Sequence, residues 1–428
     1  MGSLRPVAEP AEAPSGPFQE SDLLEMDRRD PLARFRDLFD LPEGLIYLGG
    51  HSLGPPPRTM RARAEGLIGR EWGKDLVASW NRHDWLELPQ GIGARLAPLL
   101  GAREDEAIAA DSVSLNLFKL LGALLRRAEG RSVVLADEGN FPTDLYMAQG
   151  LVRLFEESGA TLRLTAPEDF EAALGPDVAV ATVSHVDFRT GRRLGMRALT
   201  AAARAEGVPL VWDLSHSAGA VDLRLNEDGV EFAVGCGYKY LNGGPGAPGF
   251  LYVARECQDS LESPLWGWMG HASPFDFATR YRPAPGMHRF LAGTPPILSM
   301  IALEEGLRAF EGAGMTELRG KSEVLGDLFL RLVGERLAEF GVIPASPADA
   351  RERGSQVSLR HPDGYALVQA LIARGVVGDF RGPDLMRFGL APLYVRYVDV
   401  WNAVEALRLI LVNGEHREDR FRARKRVP

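Results

Sequence analysis

Asp213 in VPLVWDLSH and Lys239 in GCGYKYLNGGPG stand 26 positions apart, and together these two residue types could run amine chemistry. Each closes or follows a β-rich run, which puts both at the carboxyl ends of strands, where open α/β sheets bind their ligands. A lysine there can form an imine, and an acid can keep a pyridinium nitrogen protonated. These are the two groups that pyridoxal 5'-phosphate requires. The protonated ring draws electrons from a substrate's α-carbon, while a lysine whose ammonium has lost its proton anchors and then moves protons. Taken alone, Lys239 is a surface lysine in a glycine-rich loop. The glycines of NGGPGAPG (242–249) count against that reading, because they permit close backbone approach immediately before an apolar strand.

A phosphate needs donors, and DSVSLNLFKLLGALL (111–125) offers Ser112 and Ser114 ahead of an apolar helical run, with the backbone of Val113 and Ser114 as donors. Free N–H groups and the dipole at a helix N-terminus attract anions, although a serine there also serves as a plain N-cap. DEGNFPTDLY places Phe141 where an aromatic could stack on a pyridine ring, with Asp144 three residues on; the same residues also suit a core phenylalanine and a helix cap. For a substrate carboxylate, Arg387 in LMRFGLAP is available, with Arg381 and Arg396 as rivals and a buried structural ion pair as the alternative. Trp80 and His83 in SWNRHDW, Trp266, Trp268, His51 and Ser52 are candidates to hold an aryl group, and core packing is the ordinary use of any such tryptophan.

The elements that must position these groups alternate. Short β-rich runs at 132–138, 178–184, 208–215, 231–237 and 249–253 are separated by helical patterns expected at 154–159, 166–174 and 199–207. That alternation predicts crossover units and a largely parallel sheet covered on both faces. Beyond Ile297 longer helical runs and the strands QVSLRH and VVGDFR predict a smaller α/β lobe. Residues 1–20, rich in Pro, Ala and Glu, read as a loose tail, and EHREDRFRARKRVP reads as a solvated end.

A net charge of −9 argues against wrapping a nucleic acid, and no apolar run reaches membrane-spanning length. Two cysteines, Cys236 and Cys257, form no disulfide framework or metal-ligand spacing, which fits a reducing compartment and no metal. The N-terminus lacks an apolar signal core, so the expected location is cytoplasmic.

The set YLGGHSLG, DSVSLNLFKLL, NFPTDLY, VDFRTG, WDLSHSAGAVDL, CGYKYLNGGPG, PLWGWMG, AGTPPI and DLMRFGLAPLY resembles kynureninase, from about residue 40 to 400. The resemblance implies an aspartate-aminotransferase-like fold: a large lobe with a mostly parallel sheet (61–296), a small lobe with a charged tail (297–428), and a segment at 21–60 serving the small lobe and the site. It implies a homodimer that cleaves L-kynurenine, or its 3-hydroxy form, with water, to the anthranilate and L-alanine. By position it makes Lys239 the cofactor lysine and Asp213 the ring-nitrogen partner, with Phe141 on the ring, Asp144 beside it, and Ser184 and His216 lining it. Val113, Ser114, Tyr238 and Trp268 fall near the phosphate, Thr294 at the edge shared with substrate, and Arg387 at the α-carboxylate. The chain departs from the pattern at Thr294, where many relatives carry Asn, and at His51, where Asn is often found.

In the mechanism this implies, Lys239 takes the α-proton, water adds to the γ-ketone, the Cβ–Cγ bond breaks, and Tyr238 protonates the remaining carbon. A cysteine desulfurase or selenocysteine lyase of the same fold is the rival enzyme and would need a nucleophilic cysteine on a mobile loop. A catalytically silent binding protein is the rival from outside enzymology.

Overall fold

The computed structural model describes residues 18–424. Seven strands form the large sheet: β1 (Ala107–Ala110), β2 (Val133–Asp137), β3 (Thr161–Thr165), β4 (Val178–Ser184), β5 (Leu210–Asp213), β6 (Phe232–Cys236) and β7 (Gly249–Val253). Their order is β1-β7-β6-β5-β4-β2-β3. All neighbours are parallel except β7, which runs against both β1 and β6. The β-branched and aliphatic runs form central strands because both faces are covered. Leu135, Val183, Trp212 and Phe250 face one apolar core, and Val134, Val180, Val211 and Leu251 face the other. Buried Trp212 satisfies its indole N–H on the Thr200 hydroxyl at 3.1 Å.

The helix over Val113–Arg127, α1, and that over Pro142–Leu154, α2, cover one face through Leu117, Leu120, Leu124, Ala148 and Leu151. On the other face lies α3 (Met196–Ala205), placed through Met196, Leu199 and Ala203, with the turn after it made by Gly207 at φ +63°. Two expected helices differ. At 154–159 the structure has the end of α2 and one 3₁₀ turn, because the helix begins earlier, with Pro142 at its first position. At 166–174 only a 3₁₀ turn over Pro167–Asp169 forms; Gly175 and Pro176 end the stretch before a helical nucleus can grow.

A second sheet carries β8 (Ile343–Pro344), β9 (Gln356–Arg360), β10 (Asp379–Arg381) and β11 (Leu385–Gly389) in antiparallel order β10-β11-β9-β8. The long helix α4 (Met315–Arg336) packs on it, with Phe329 against Phe388 at 5.1 Å between ring centroids. The segment around Asp27 to Tyr47 belongs here too. Ile46 and Tyr47 pair in parallel with Val376 and Val377, and Asp27 accepts hydrogen bonds from the free N–H groups of Tyr397 and Val398 at a helix start. The loose tail expected at 1–20 lies mostly outside the described residues; within them Phe18 is buried and a helix spans Glu20–Arg29. The solvated end expected at 415–428 is described to 424, as short turns with Phe421 buried.

Candidate active site

The carboxyl ends of β4, β5 and β6 converge because parallel strands point the same way. Ser184 on β4 sits opposite Asp213 on β5, and Asp213 sits opposite Val234 on β6. Lys239 follows three residues after β6 ends, inside a turn whose Asn242 adopts φ +58°. The GGHSLG turn packs on this loop: the Gly54 N–H donates to the Tyr238 carbonyl at 2.8 Å, and a Cβ at Gly54 would meet the Lys239 carbonyl at 2.4 Å.

A pocket of about 130 Å³ opens here, and Val113, Ser114, Phe141, Asp144, Ser184, Asp213, His216, Tyr238 and Lys239 all line it. Ser112, Thr143, Val186, Phe188 and Ser215 join them, and sequence reasoning had given the last four no role. Ser215 was nonetheless findable: a serine two residues after an aspartate closes an Asx turn. Its N–H and hydroxyl both donate to Asp213 Oδ1, at 2.8 and 2.6 Å. A wider cleft, about 550 Å³, opens beside Arg193 and Arg197, but its cations are matched, Arg197 to Asp228 at 2.7 Å and Arg193 to the Arg351 carbonyl.

Asp213 and Asp144 form a carboxyl pair buried in the pocket wall, and Asp144 Oδ2 has no partner among the described residues. Burial, and after it the Asp213 charge, raises Asp144 well above the usual carboxylate range. Burial raises Asp213 as well, against the Ser215 hydrogen bonds and the Lys239 ammonium. The pair retains a proton where an isolated carboxylate has lost it. His216 is held neutral by burial and by the Lys239 and Arg387 charges, and its Nδ1 is also without a partner among the described residues. Tyr238, pushed above its usual range by burial first, keeps its phenolic proton. Lys239 Nζ lies 5.8 Å from the Phe141 ring centroid and 5.7 Å from that of Tyr238.

Ser112 caps α1, accepting from the Leu115 N–H at 3.4 Å, so the plain cap role is present. The N–H groups of Val113 and Ser114, in the first turn, have no intrahelical partner and belong to residues that line the pocket. Gly249 permits this approach, because a Cβ there would meet the Ser112 carbonyl carbon and the Val113 nitrogen at 3.0 Å. Free N–H donors, an orphaned acid with its partner, an exposed aromatic face and a lysine in one cavity fit a group with an anionic tail, a flat ring and a basic ring nitrogen.

The other candidates do not line this pocket. Arg387 is buried behind it, ion-paired with Asp379 and donating from Nη1 to the carbonyl of Phe188 at 2.6 Å. Of its rivals, Arg381 pairs with the same Asp379 at 3.3 Å, while Arg396 is spent on Asp399 at a helix start. His51 is fully buried on Asp379, and Ser52 lies in the adjoining turn. Trp80 packs edge-on against Trp85 in a separate apolar cluster, and His83 binds Asp75 at 2.9 Å. Trp266 stacks on Tyr281, Trp268 meets Phe275 edge-on, and Thr294 is exposed. Neither cysteine lines the pocket: Cys236 is buried in β6, and burial lifts the Cys257 thiol to about 11.

A family model described as "Kynureninase C-terminal domain" matches residues 318–407. The chain is 48% identical over 410 residues to "Kynureninase" of Burkholderia mallei, covering 95% of this chain and 99% of that one. It is 45% identical over 412 residues to "Kynureninase" of Pseudomonas fluorescens, with the same coverage. Among solved structures, the apo cysteine desulfurase of Thermococcus onnurineus superposes with a TM-score of 0.73 at 20% identity, covering 89% of this chain and 98% of that one. At that identity the likeness concerns the fold alone.

Proposed function

Because the chain belongs to the kynureninase family, we propose that the pocket around Lys239 is where it hydrolyses the Cβ–Cγ bond of L-kynurenine, giving anthranilate and L-alanine. The protein is a pyridoxal-phosphate-dependent hydrolase of carbon–carbon bonds. The observation that carries the assignment of the site is the meeting of Lys239, the Asp213–Asp144 pair and the open helix end of Val113 and Ser114 in one cavity.

The cofactor, when bound, supplies an electron sink for negative charge that develops on the substrate's carbons. Lys239 would anchor it, Asp213 would keep its ring nitrogen protonated, Phe141 would lie on its ring, and Val113 and Ser114 would bind its phosphate. Ser184 and His216 complete the wall. Once free, Lys239 Nζ takes the proton from Cα, and the Tyr238 phenol, still protonated in this burial, delivers one to Cβ as alanine forms. Arg387 binds the α-carboxylate. Its contact with the pocket runs through Phe188, which lines the pocket and whose carbonyl accepts from Arg387 Nη1.

We further propose that the active form is a homodimer, and that it works in the cytoplasm, as the charge and cysteine content of the sequence suggest. The support for the dimer is exposed apolar side chains in two places, Ile68, Trp72, Leu76 and Val77 on one segment and Trp268, Phe275 and Phe277, which touch one another, on a second. No described helix is long and apolar enough to cross a membrane.

The test is direct. The purified protein with pyridoxal phosphate is given kynurenine and anthranilate fluorescence is followed, with sulfide release from cysteine as the counter-assay. Turnover of kynurenine that disappears in Lys239→Ala is expected. Retained turnover in that variant, or sulfide release in place of anthranilate, refutes the assignment.

A further inference from the structure

Arg387 and Asp379 face each other across the β10–β11 hairpin as register partners, which fixes their separation through the backbone ladder. Asp379 takes one edge of the guanidinium: Nε donates to Oδ1 at 2.7 Å and Nη2 donates to Oδ2. Nη1 donates to the Phe188 carbonyl. Three of the five N–H groups of an arginine are thereby used, which leaves one on each terminal nitrogen. His51 Nε2 stands 3.2 Å from Asp379 Oδ1.

Each member of this cluster is immobilised. His51 is 0% exposed and Arg387 2% exposed. Gly389, on β11 two residues past Arg387, has no side chain because a Cβ would come 2.5 Å from His51 Nδ1. Asp379 meets two cations and the imidazole, and although burial alone would raise it, His51 and Arg387 bring it far below the usual carboxylate range. Held in that direction it is ionised at neutral pH, so the His51 nitrogen facing it is the one that donates. His51 itself is kept neutral, chiefly by burial.

We propose that Asp379, held in turn by the His51 N–H, is a positioning residue that sets Arg387 with its two remaining N–H groups presented to a substrate carboxylate. Asp379 touches no substrate; it acts through Arg387. A lone arginine loses rotamer entropy each time it grips a carboxylate, whereas one already fixed along one edge has lost it beforehand. His51 performs the donor's part with its imidazole N–H, 3.2 Å from Asp379 Oδ1.

This inference rests on Arg387 being the carboxylate grip, and the experiment separates the two. The holoenzyme is titrated with L-alanine and, separately, L-alaninamide, each read from the absorbance of the bound cofactor. Arg387→Lys should weaken alanine and leave alaninamide unchanged; no effect on alanine overturns the grip itself. Asp379→Asn places an N–H against Nη2 and should weaken alanine about tenfold or more, again sparing alaninamide, and raise KM for kynurenine more than it lowers kcat. If Arg387→Lys acts and Asp379→Asn does not, or if Asp379→Asn weakens both ligands equally, the positioning role is wrong. His51→Leu should reproduce a smaller loss that His51→Asn restores, which keeps the proposal testable should Asp379→Asn fail to fold. Equal alanine affinity in wild type and His51→Leu removes His51 from it.

Discussion

Consider Asp213→Asn. The asparagine Oδ1 can keep both hydrogen bonds from Ser215, at 2.8 and 2.6 Å, so the β5 end holds its shape. What disappears is the charge facing the cofactor's ring nitrogen. A hydrogen bond to a charged group contributes about 1.5–3 kcal/mol, and its loss weakens cofactor binding by about 10- to 150-fold. The protein without cofactor responds in the opposite sense. Folding raises both Asp144 and Asp213, so their contribution to stability is greatest at acid pH and falls as pH rises from the unfolded carboxylate value through the raised folded ones. Asparagine cannot ionise and removes that penalty. Cofactor-free Asp213→Asn should melt at or above wild type at pH 8, with a smaller difference at pH 5. Equilibrium dialysis measures the first effect and scanning calorimetry the second. Unchanged cofactor affinity, or a melting temperature below wild type at pH 8, would refute the reasoning.

Tyr238→Phe should retain cofactor affinity yet slow kynurenine turnover by about 10²- to 10⁴-fold, the usual worth of a positioned acid; equal kcat in steady-state assays removes Tyr238 from proton delivery. Gly249→Ala drives a methyl into backbone atoms at 3.0 Å, and an overpacking cost of about 1–3 kcal/mol should appear as weaker binding of pyridoxal phosphate, with pyridoxal itself bound as before. Equal losses for both would show that the helix end does not hold the phosphate. Lys119→Met strips a fully buried ammonium from Asp111 and the Phe290 carbonyl, and should lower unfolding free energy in urea by about 2–4 kcal/mol, part of the burial being offset by the partial exposure of Asp111.

Much of the large sheet was legible because its strands are apolar runs with turn residues at their ends. Val178–Ser184 is buried at six positions and emerges at Ser184, where the site begins. The edge strand Thr161–Thr165 was not legible: TLRLT is short and half exposed, and only pairing with β2 makes it a strand. A helix start near Asp144 was readable as a cap, but the extent of α2 was not, because PTDLYMAQGLVRL buries only Asp144, Ala148 and Leu151, too thin a stripe to stand out. Within the site, residues a few positions past a strand end were readable by the rule that ligands gather there. Asp379 was not. Its importance comes from facing Arg387, eight residues away across a hairpin whose register no spacing announces. His51, far away in sequence, reaches the same cluster only because the segment carrying Ile46 and Tyr47 returns to the second lobe.

That return has a consequence for how the chain is made. Ile46 and Tyr47 leave the ribosome about 330 residues before Val376 and Val377, their strand partners. At about 5–20 residues per second, the wait lasts roughly 15–70 s. By then β1 to β7 can have closed, with Lys239 and Asp213 in place, while His51 still has neither Asp379 nor Gly389 beside it. A ribosome that stalls in this interval presents a finished sheet with an unclaimed leading segment, a species open to proteases. Truncation at the carboxyl terminus has the same effect, since removing residues after 375 releases the strand at the other end of the chain.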